Sequence, residues 1–380
     1  MTLATQTHAL QRGTPAAVLV AAGGTGGHVF PAVAVARRLQ RQGIKVQWVG
    51  TNRGLERRVA QASGLSLTEL SFSGLRGKGL LAWLSLPLRL GHALRDARRC
   101  LQSPRPNLVM VFGGYVSFPI GLMARLMGLP LMVLEQNAVM GTANRWLARM
   151  AQLVVTSFAV TRHAPANSRC LGNPVREELT LDGPRTTHLA QRQGPLRVLV
   201  LGGSLGAMAL NEACPEAFAR CREAGQRLEI RHQTGEAGLA KTRAHYQALG
   251  LDASLQAFVE DMQEAYNWAD LLVCRAGAST VSELMAVALP AIFVPLPQAI
   301  DDHQTANARA MTDHGTGWLL PQTPDLAGRL AGLLQTLDRP RLVDCSSRLA
   351  KAQHRPALEA VVEEVFRQLQ PSAQPSGGTA

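Results

Sequence analysis

Aromatic residues make up only 4% of the 380-residue chain, and its six cysteines form no CxxC pair. No aromatic-interleaved basic signature and no metal-finger spacing is present, which removes the usual marks of a nucleic-acid binder. Cys100, Cys170, Cys214, Cys221, Cys274 and Cys345 are well separated, so neither a zinc site nor a disulfide framework is suggested. Reduced thiols of a cytoplasmic protein are the plain reading. The leading "MTLATQTHALQRGTP" lacks an apolar signal core and reads as a loose leader. Long unbroken apolar runs are missing too. "NLVMVFGGYVSFPIGLMA" is interrupted by Gly113, Gly114 and Pro119, and "LMAVALPAIFVPLPQAI" by Pro290, Pro295 and Pro297, so no transmembrane helix is predicted.

What is present describes a soluble globular protein: 46% hydrophobic and 17% charged residues, in a chain long enough for two domains with separate cores. The net charge of +12 asks for an anionic partner, which could be nucleic acid, a membrane surface or a phosphorylated substrate. The arginines are scattered through most of the chain, and the reading is no nucleic acid.

Apolar runs alternate with helical patterns. Strands are predicted over 17–22, 45–49, 108–112, 131–134 and 153–156, with amphipathic helices between them, which is the order of a parallel sheet covered on both faces. Near Gly194 the pattern restarts: "LRVLVLGGSLGAMALNEACPEAF" repeats the strand, glycine loop and helix of "AAVLVAAGGTGGHVFPAVAVARRL". Later strands are predicted over 228–231, 255–259, 271–274 and 291–294. The fold class is therefore α/β, with two Rossmann-like doubly wound domains facing a cleft. The expected divisions are an N-terminal domain over 15–172, a hinge and polar linker over 173–194, a C-terminal domain over 195–340, a helical segment over 341–370 and a disordered tail over 371–380. Nothing in the sequence says onto which domain the last helix packs.

Gly23, Gly24, Gly26 and Gly27 end a strand and open a helix, where unpaired N–H groups and the helix dipole favour an anion. A dinucleotide fingerprint is excluded: Val29 stands where the third glycine belongs, and the second strand ends in "WVGTN" with no acid for a ribose diol. The alternative is a tight turn that needs glycine for packing alone. His28, in the first turn of that helix, is kept neutral by the positive helix end and so can accept a proton; otherwise it only bonds locally. In "GGSLGA", Ser204 either meets a phosphate or caps the next helix.

"CRAGASTVSELMAV" places Gly277, Ala278, Ser279 and Thr280 at another helix start, with Glu283 three residues after Thr280. That spacing fits a capping box, and equally a carboxylate accepting two hydrogen bonds from a ribose diol. Arg176 in "GNPVR" could clamp a phosphate or form a surface ion pair. Asp301, Asp302, His303 and Gln304 read as a helix start with acids in its first turn, and no metal is expected. The stretch from Gly74 to Arg99 mixes leucines and Trp83 with Arg76, Lys78, Arg89, Arg95, Arg98 and Arg99. It suits an anionic bilayer surface, or a core helix with a solvated basic face.

Seven stretches, "GGTGGHVFPAVAVA", "GGYVSFP", "EQNAVMGTANRWLA", "LGNPVR", "GGSLGA", "CRAGASTVSEL" and "DDHQTANA", stand in the order found in the MurG family of bacterial cell-wall N-acetylglucosaminyltransferases. The resemblance runs from about Val18 to about Leu369. It implies a glycosyltransferase B-type fold whose first domain takes a lipid-linked acceptor and whose second holds UDP-GlcNAc. By motif it places Thr25, Gly26, Gly27, Asn137 and Arg176 on the donor, with Ser204, Val259 and the run Ala278, Ser279, Thr280, Val281, Ser282 and Glu283 lining the nucleotide pocket. Glu283 would take the ribose and Gln304 the sugar hydroxyls, while His28, Tyr115 and Glu135 would stand at the acceptor side.

The implied reaction is an inverting, metal-independent and cofactor-free transfer of GlcNAc from UDP-GlcNAc to lipid-linked MurNAc-pentapeptide, with His28 or Glu135 as base. It implies a peripheral position on the cytoplasmic face of the inner membrane, an anionic membrane surface as partner, and other cell-wall synthesis proteins nearby. The rivals are an isomerase resembling UDP-GlcNAc 2-epimerase and a basic nucleic-acid binder.

Overall fold

The computed structural model describes residues 16–51, 55–70, 72, 86–179, 183–203, 206–352 and 356–370. The chain divides into two compact units. Unit 1 comprises Met1–Gln136, Met140–Pro174 and Arg355–Ala380; unit 2 comprises Asn137–Val139 and Val175–His354.

Unit 1 is built on seven parallel strands: β1 (Ala17–Ala21), β2 (Lys45–Gly50), β3 (Leu67–Glu69), β4 (Leu108–Val111), β5 (Leu131–Glu135), β6 (Leu153–Thr156) and β7 (Arg169–Cys170). Their order is β3-β2-β1-β4-β5-β6-β7. Strand β1 pairs with β2 from Ala17 opposite Lys45, and with β4 from Val18 opposite Leu108. Every second residue of β1 faces the same way, so Val18 and Val20 enter one core while Leu19 and Ala21 enter the other. Because both faces are covered, β1 and β4 read as continuous apolar runs rather than as alternation.

The last helix, Ala357–Leu369, belongs to this unit. Leu358, Val361, Val362, Val365 and Phe366 recur at helical spacing and pack in the same core as Val29, Val33 and Ala36 of helix Gly26–Arg41. Its buried Glu364 accepts a 2.8 Å bond from Arg169 of β7 and is also paired with Arg367. A carboxylate without solvent there is tolerable because cations meet it.

Unit 2 repeats the plan with β8 (Leu196–Leu201), β9 (Leu228–Gln233), β10 (Ser254–Gln256), β11 (Leu271–Cys274), β12 (Ala291–Phe293) and β13 (Trp318–Leu319), in the order β10-β9-β8-β11-β12-β13. All neighbours are parallel, with Leu196 opposite Leu228 and Val198 opposite Leu271. The strand order reverses beside β1 in one unit and β8 in the other, and ligands of open parallel sheets bind at such switch points.

The hydrophobic pattern does not announce β3, β7 or β13, which are two or three residues long and half-buried or exposed. Strand β10 ends at Gln256, earlier than its apolar run suggests, because the chain turns outward and leaves Phe258 exposed. The polar stretch between the repeats contains a helix, Arg185–Gln191, and its arginines are docked in unit 2. Arg185 is buried and donates to the carbonyls of Ala269 (3.2 Å) and Val287 (3.4 Å). Burial, then the neighbouring Arg192, lowers the Arg185 guanidinium to about 10. Buried Asp270 accepts from Arg192 (2.6 Å), Arg339 (3.0 Å) and the Arg197 amide (3.0 Å). Among the described residues, no helix is long and apolar enough to cross a membrane.

Candidate active site

In unit 1 the turn after β1 delivers Thr25 as the N-cap of helix Gly26–Arg41, in extended conformation and with no side-chain cap bond. No acid occupies the first turn, so no residue of the helix itself offsets its positive end. The glycines divide by role. Gly24 has φ +96°, and its amide donates a 2.8 Å bond to buried Glu56. A Cβ on Gly23 would lie 2.8 Å from Val116 Cγ2, and one on Gly114 would lie 2.0 Å from the Gly23 carbonyl oxygen. These two positions are glycine because two turns pack back to back. Gly27 is different: a Cβ there would meet only Thr25 Oγ1 at an ordinary 3.5 Å. Internal packing does not require that bare backbone, which suits an approaching ligand.

His28 presents Nδ1 to the carbonyl of Gly23 at 3.2 Å. A carbonyl can only accept, so this contact favours the proton on Nδ1 and the lone pair on Nε2. The far edge of the ring faces Gly113, where a Cβ would be 3.1 Å from both Cδ2 and Nε2 and 3.4 Å from Asn144 Nδ2. Asn144 in turn donates 2.8 Å to Oε2 of Glu135, which also accepts from the Gly141 amide at 3.0 Å. Thus His28 and the Glu135–Asn144 pair gather around Gly113, at the ends of β1, β4 and β5. Tyr115 lies on the same rim, with its hydroxyl 3.4 Å from Thr51 Oγ1.

Asn137 groups with unit 2. Asn307 donates to its Oδ1 (3.2 Å) and to the carbonyl of Ala276 (3.1 Å), and accepts from the Ala138 amide (2.8 Å). In unit 2, helix Ala278–Ala286 starts three residues earlier than a capping box would need. Its N-cap is Gly277, not Thr280, with no side-chain cap bond. Glu283 is therefore free of that duty. Its buried carboxylate accepts 2.8 Å from Tyr266 on Oε2 and 3.1 Å from Arg176 on Oε1. Burial, then the Glu283 charge, holds the Tyr266 phenol protonated well above its ordinary range, so it remains a donor.

In the first turn of this helix, the hidden Ser279 Oγ has no hydrogen-bond partner. Ala278, Val281 and Ser282 are buried, and Thr280 is half-buried. Val259 lies in the loop past β10, half-buried beside exposed Phe258. Gln304 is the second residue of helix His303–Thr312, and its Oε1 accepts from the Leu296 amide at 2.9 Å, so its NH₂ is the donor end of the side chain. The preceding Asp301 and Asp302 have φ +52° and +53°, a left-handed pair that neither residue adopts cheaply.

Ser204 and the segment from Arg76 to Leu84 lie outside the described residues. Of the rest of that basic stretch, helix Leu86–Gln102 buries Ala93, Ala97 and Leu101 and exposes Leu88, Arg95, Arg98 and Arg99. Glu56, Asn144, Tyr266 and Asn307 are partners that sequence reasoning misses. Each acts through a fold contact many residues away, or from a helix whose register the sequence does not fix.

Two parallel units of one strand order, each with a glycine turn after its first strand, constitute the B-type glycosyltransferase fold. The chain belongs to glycosyltransferase family 28, whose N-terminal domain matches residues 18–156 and whose C-terminal domain matches residues 197–361. A Methylococcus capsulatus protein named UDP-N-acetylglucosamine–N-acetylmuramyl-(pentapeptide) pyrophosphoryl-undecaprenol N-acetylglucosamine transferase is 48% identical over 335 residues, covering 87% of this chain and 93% of its own. A protein of the same name from Pseudomonas fluorescens is 49% identical, covering 88% of this chain and 94% of its own. The crystal structure of Acinetobacter baumannii MurG gives a TM-score of 0.78 at 36% identity, over 93% of this chain and all of that one. A Listeria monocytogenes protein described as a UDP-N-acetylglucosamine 2-epimerase gives a TM-score of 0.62 at 14% identity, covering 92% of this chain and 94% of its own, and shares the fold alone.

Proposed function

We propose that this protein transfers GlcNAc from UDP-GlcNAc to the C4 hydroxyl of undecaprenyl-pyrophosphoryl-MurNAc-pentapeptide, lipid I, and so forms lipid II of peptidoglycan. The observation that carries the reading is the arrangement around Glu283: a buried carboxylate set by Tyr266 beside a helix start with no side-chain cap. That is the equipment for a ribose diol with a diphosphate next to it. The likeness to transferases of that name along nine-tenths of the chain supports the same substrates.

In this reading unit 1 takes the acceptor and unit 2 the donor. The acceptor oxygen attacks the anomeric carbon while Nε2 of His28 takes its proton, with Glu135 nearby. The bond from that carbon to the β-phosphate oxygen breaks, and its electron pair leaves with UDP. Helix N-termini and Arg176, released from Glu283 toward the phosphates, stabilise the departing charge. Displacement from the opposite face inverts the donor's α configuration to β. The positive charge and exposed Leu88 support a peripheral place on the cytoplasmic face of the membrane.

The test is incubation with labelled UDP-GlcNAc, a lipid-linked MurNAc acceptor and a chelator. Labelled disaccharide lipid is expected. Its absence under conditions in which an established relative turns over would overturn the proposal, and C2 epimerisation without acceptor would favour the isomerase instead.

A further inference from the structure

We infer that Gln233 is a positioning residue for the donor, one that sets the glycine turn after β8 and the loop after β10 in register with each other. This rests on the donor reading given above. Gln233 is the last residue of β9, the strand that lies between β8 and β10, and it is buried. Its side-chain oxygen accepts from the Gly202 amide at 3.1 Å. Its side-chain nitrogen donates to the Gly203 carbonyl at 3.0 Å and to the Ala257 carbonyl at 2.9 Å. One amide thereby uses an acceptor and both of its donors, and its two donors reach two different loops. Ala257 stands two residues before Val259, which the resemblance places in the lining of the nucleotide pocket.

The neighbouring backbone completes the brace. The amides of Thr234 and Gly235 donate to the carbonyls of Gln256 (2.9 Å) and Ala257 (3.1 Å). At the far end of the same turn, a Cβ on Gly206 would fall 2.1 Å from the Thr234 carbonyl oxygen, so that contact is open only to glycine. The end of β9 thus holds Gly202, Gly203 and Gly206 on one side and Ala257 on the other. Only an amide fits the side-chain pattern. A carboxylate would turn an oxygen toward two carbonyl oxygens, and an aliphatic side chain would leave one N–H and two C=O groups less satisfied.

The experiment compares Gln233→Met and Gln233→Glu with the wild type in the full chain. It reads kcat and KM for UDP-GlcNAc and for the lipid acceptor from pH 6 to 8, together with UDP affinity by calorimetry. For Gln233→Met we expect KM for UDP-GlcNAc and Kd for UDP to rise on the order of 10- to 100-fold, from the loss of buried hydrogen bonds, with kcat and acceptor KM within about threefold. Gln233→Glu should match that defect at pH 8 and recover toward wild type at pH 6, where a protonated carboxyl regains one donor. This rescue is something a merely structural role would not produce.

Unchanged UDP affinity in both variants, or a loss of stability that lowers all parameters together without rescue at low pH, overturns the inference. A wild type that binds no UDP overturns the donor reading and this inference with it. A wild type that binds UDP beside variants that bind it equally overturns the inference alone.

Discussion

Gly113→Ala tests the placement of His28 without touching its chemistry. Gly113 has φ +96°, where an L-residue is strained, and the new Cβ would stand 3.1 Å from two atoms of the imidazole. The strain alone costs about 1–3 kcal/mol of stability. The contact is tighter than ordinary van der Waals distance, so the ring must yield by a few tenths of an ångström, carrying Nε2 with it. Since a displacement of about 1 Å in reacting groups can cost about 100-fold in rate, kcat should fall on the order of 10- to 100-fold.

Gly43→Ala is the matched control. Gly43 has φ +83°, but its Cβ would meet nothing within 4 Å, so it carries similar strain with no contact. Both variants should lose comparable stability by urea titration, both should bind UDP as the wild type does, and only Gly113→Ala should lose turnover. His28→Ala sets the floor for that loss. Turnover in Gly113→Ala within twofold of Gly43→Ala would refute the argument and shift the base to Glu135.

Three other outcomes are expected. Tyr266→Phe removes one donor from the buried Glu283 carboxylate and should raise KM for UDP-GlcNAc by about three- to tenfold at unchanged kcat; a change in kcat alone would contradict the ribose assignment. His232 is buried between Tyr246 and Asn211, and burial pushes its imidazole down to about 3. The unfolded chain therefore takes up this proton first, and the stability His232 contributes is complete above pH 6.5 and lost at about 1.4 kcal/mol per pH unit as pH falls from 6.5 toward 3. Urea midpoints at pH 7.5 and 5 should converge in His232→Gln, and parallel losses in variant and wild type would count against it. Phe366→Ala should cost unit 1 about 3–5 kcal/mol by urea titration, since this buried ring of the last helix fills the sheet's core; a loss below about 1 kcal/mol would mean the helix is not integral to it.

The fold was legible because its evidence is local. Strands β1, β4, β5, β8 and β11 are buried on both faces and therefore read as unbroken apolar runs, and the repeated strand, glycine turn and helix announced the second unit. The candidate site was legible in position where the sequence marks a helix start, as for Gly27 and His28, which the structure has in the first turn of helix Gly26–Arg41. It was not legible where partners arrive from elsewhere in the chain. Glu56 reaches Gly24 from 32 positions away and Asn307 reaches Ala138 from 169. The capping box at Thr280 and Glu283 is a further case: the spacing allowed it, but Gly277 took the cap, and only the helix register decides that.

The two glycine turns also differ in a way that composition alone does not reveal. In unit 1 the turn's second glycine, Gly24, has its amide held by a carboxylate, Glu56, at 2.8 Å; in unit 2 the turn's first glycine, Gly202, has its amide held by a neutral amide oxygen, Gln233, at 3.1 Å. A carboxylate is the stronger acceptor, so bond strength does not account for the amide in unit 2. Charge does, on the proposed reading. A diphosphate brought to the unit 2 turn would repel a buried carboxylate at close range in a medium where screening is weak, whereas an amide supplies the same acceptor with no charge and adds two donors. Unit 1 needs no such restraint near Gly24 if its ligand there is an uncharged sugar hydroxyl whose proton is to be removed. A carboxylate behind the turn then also offsets the positive helix end next to which the imidazolium of His28 must form.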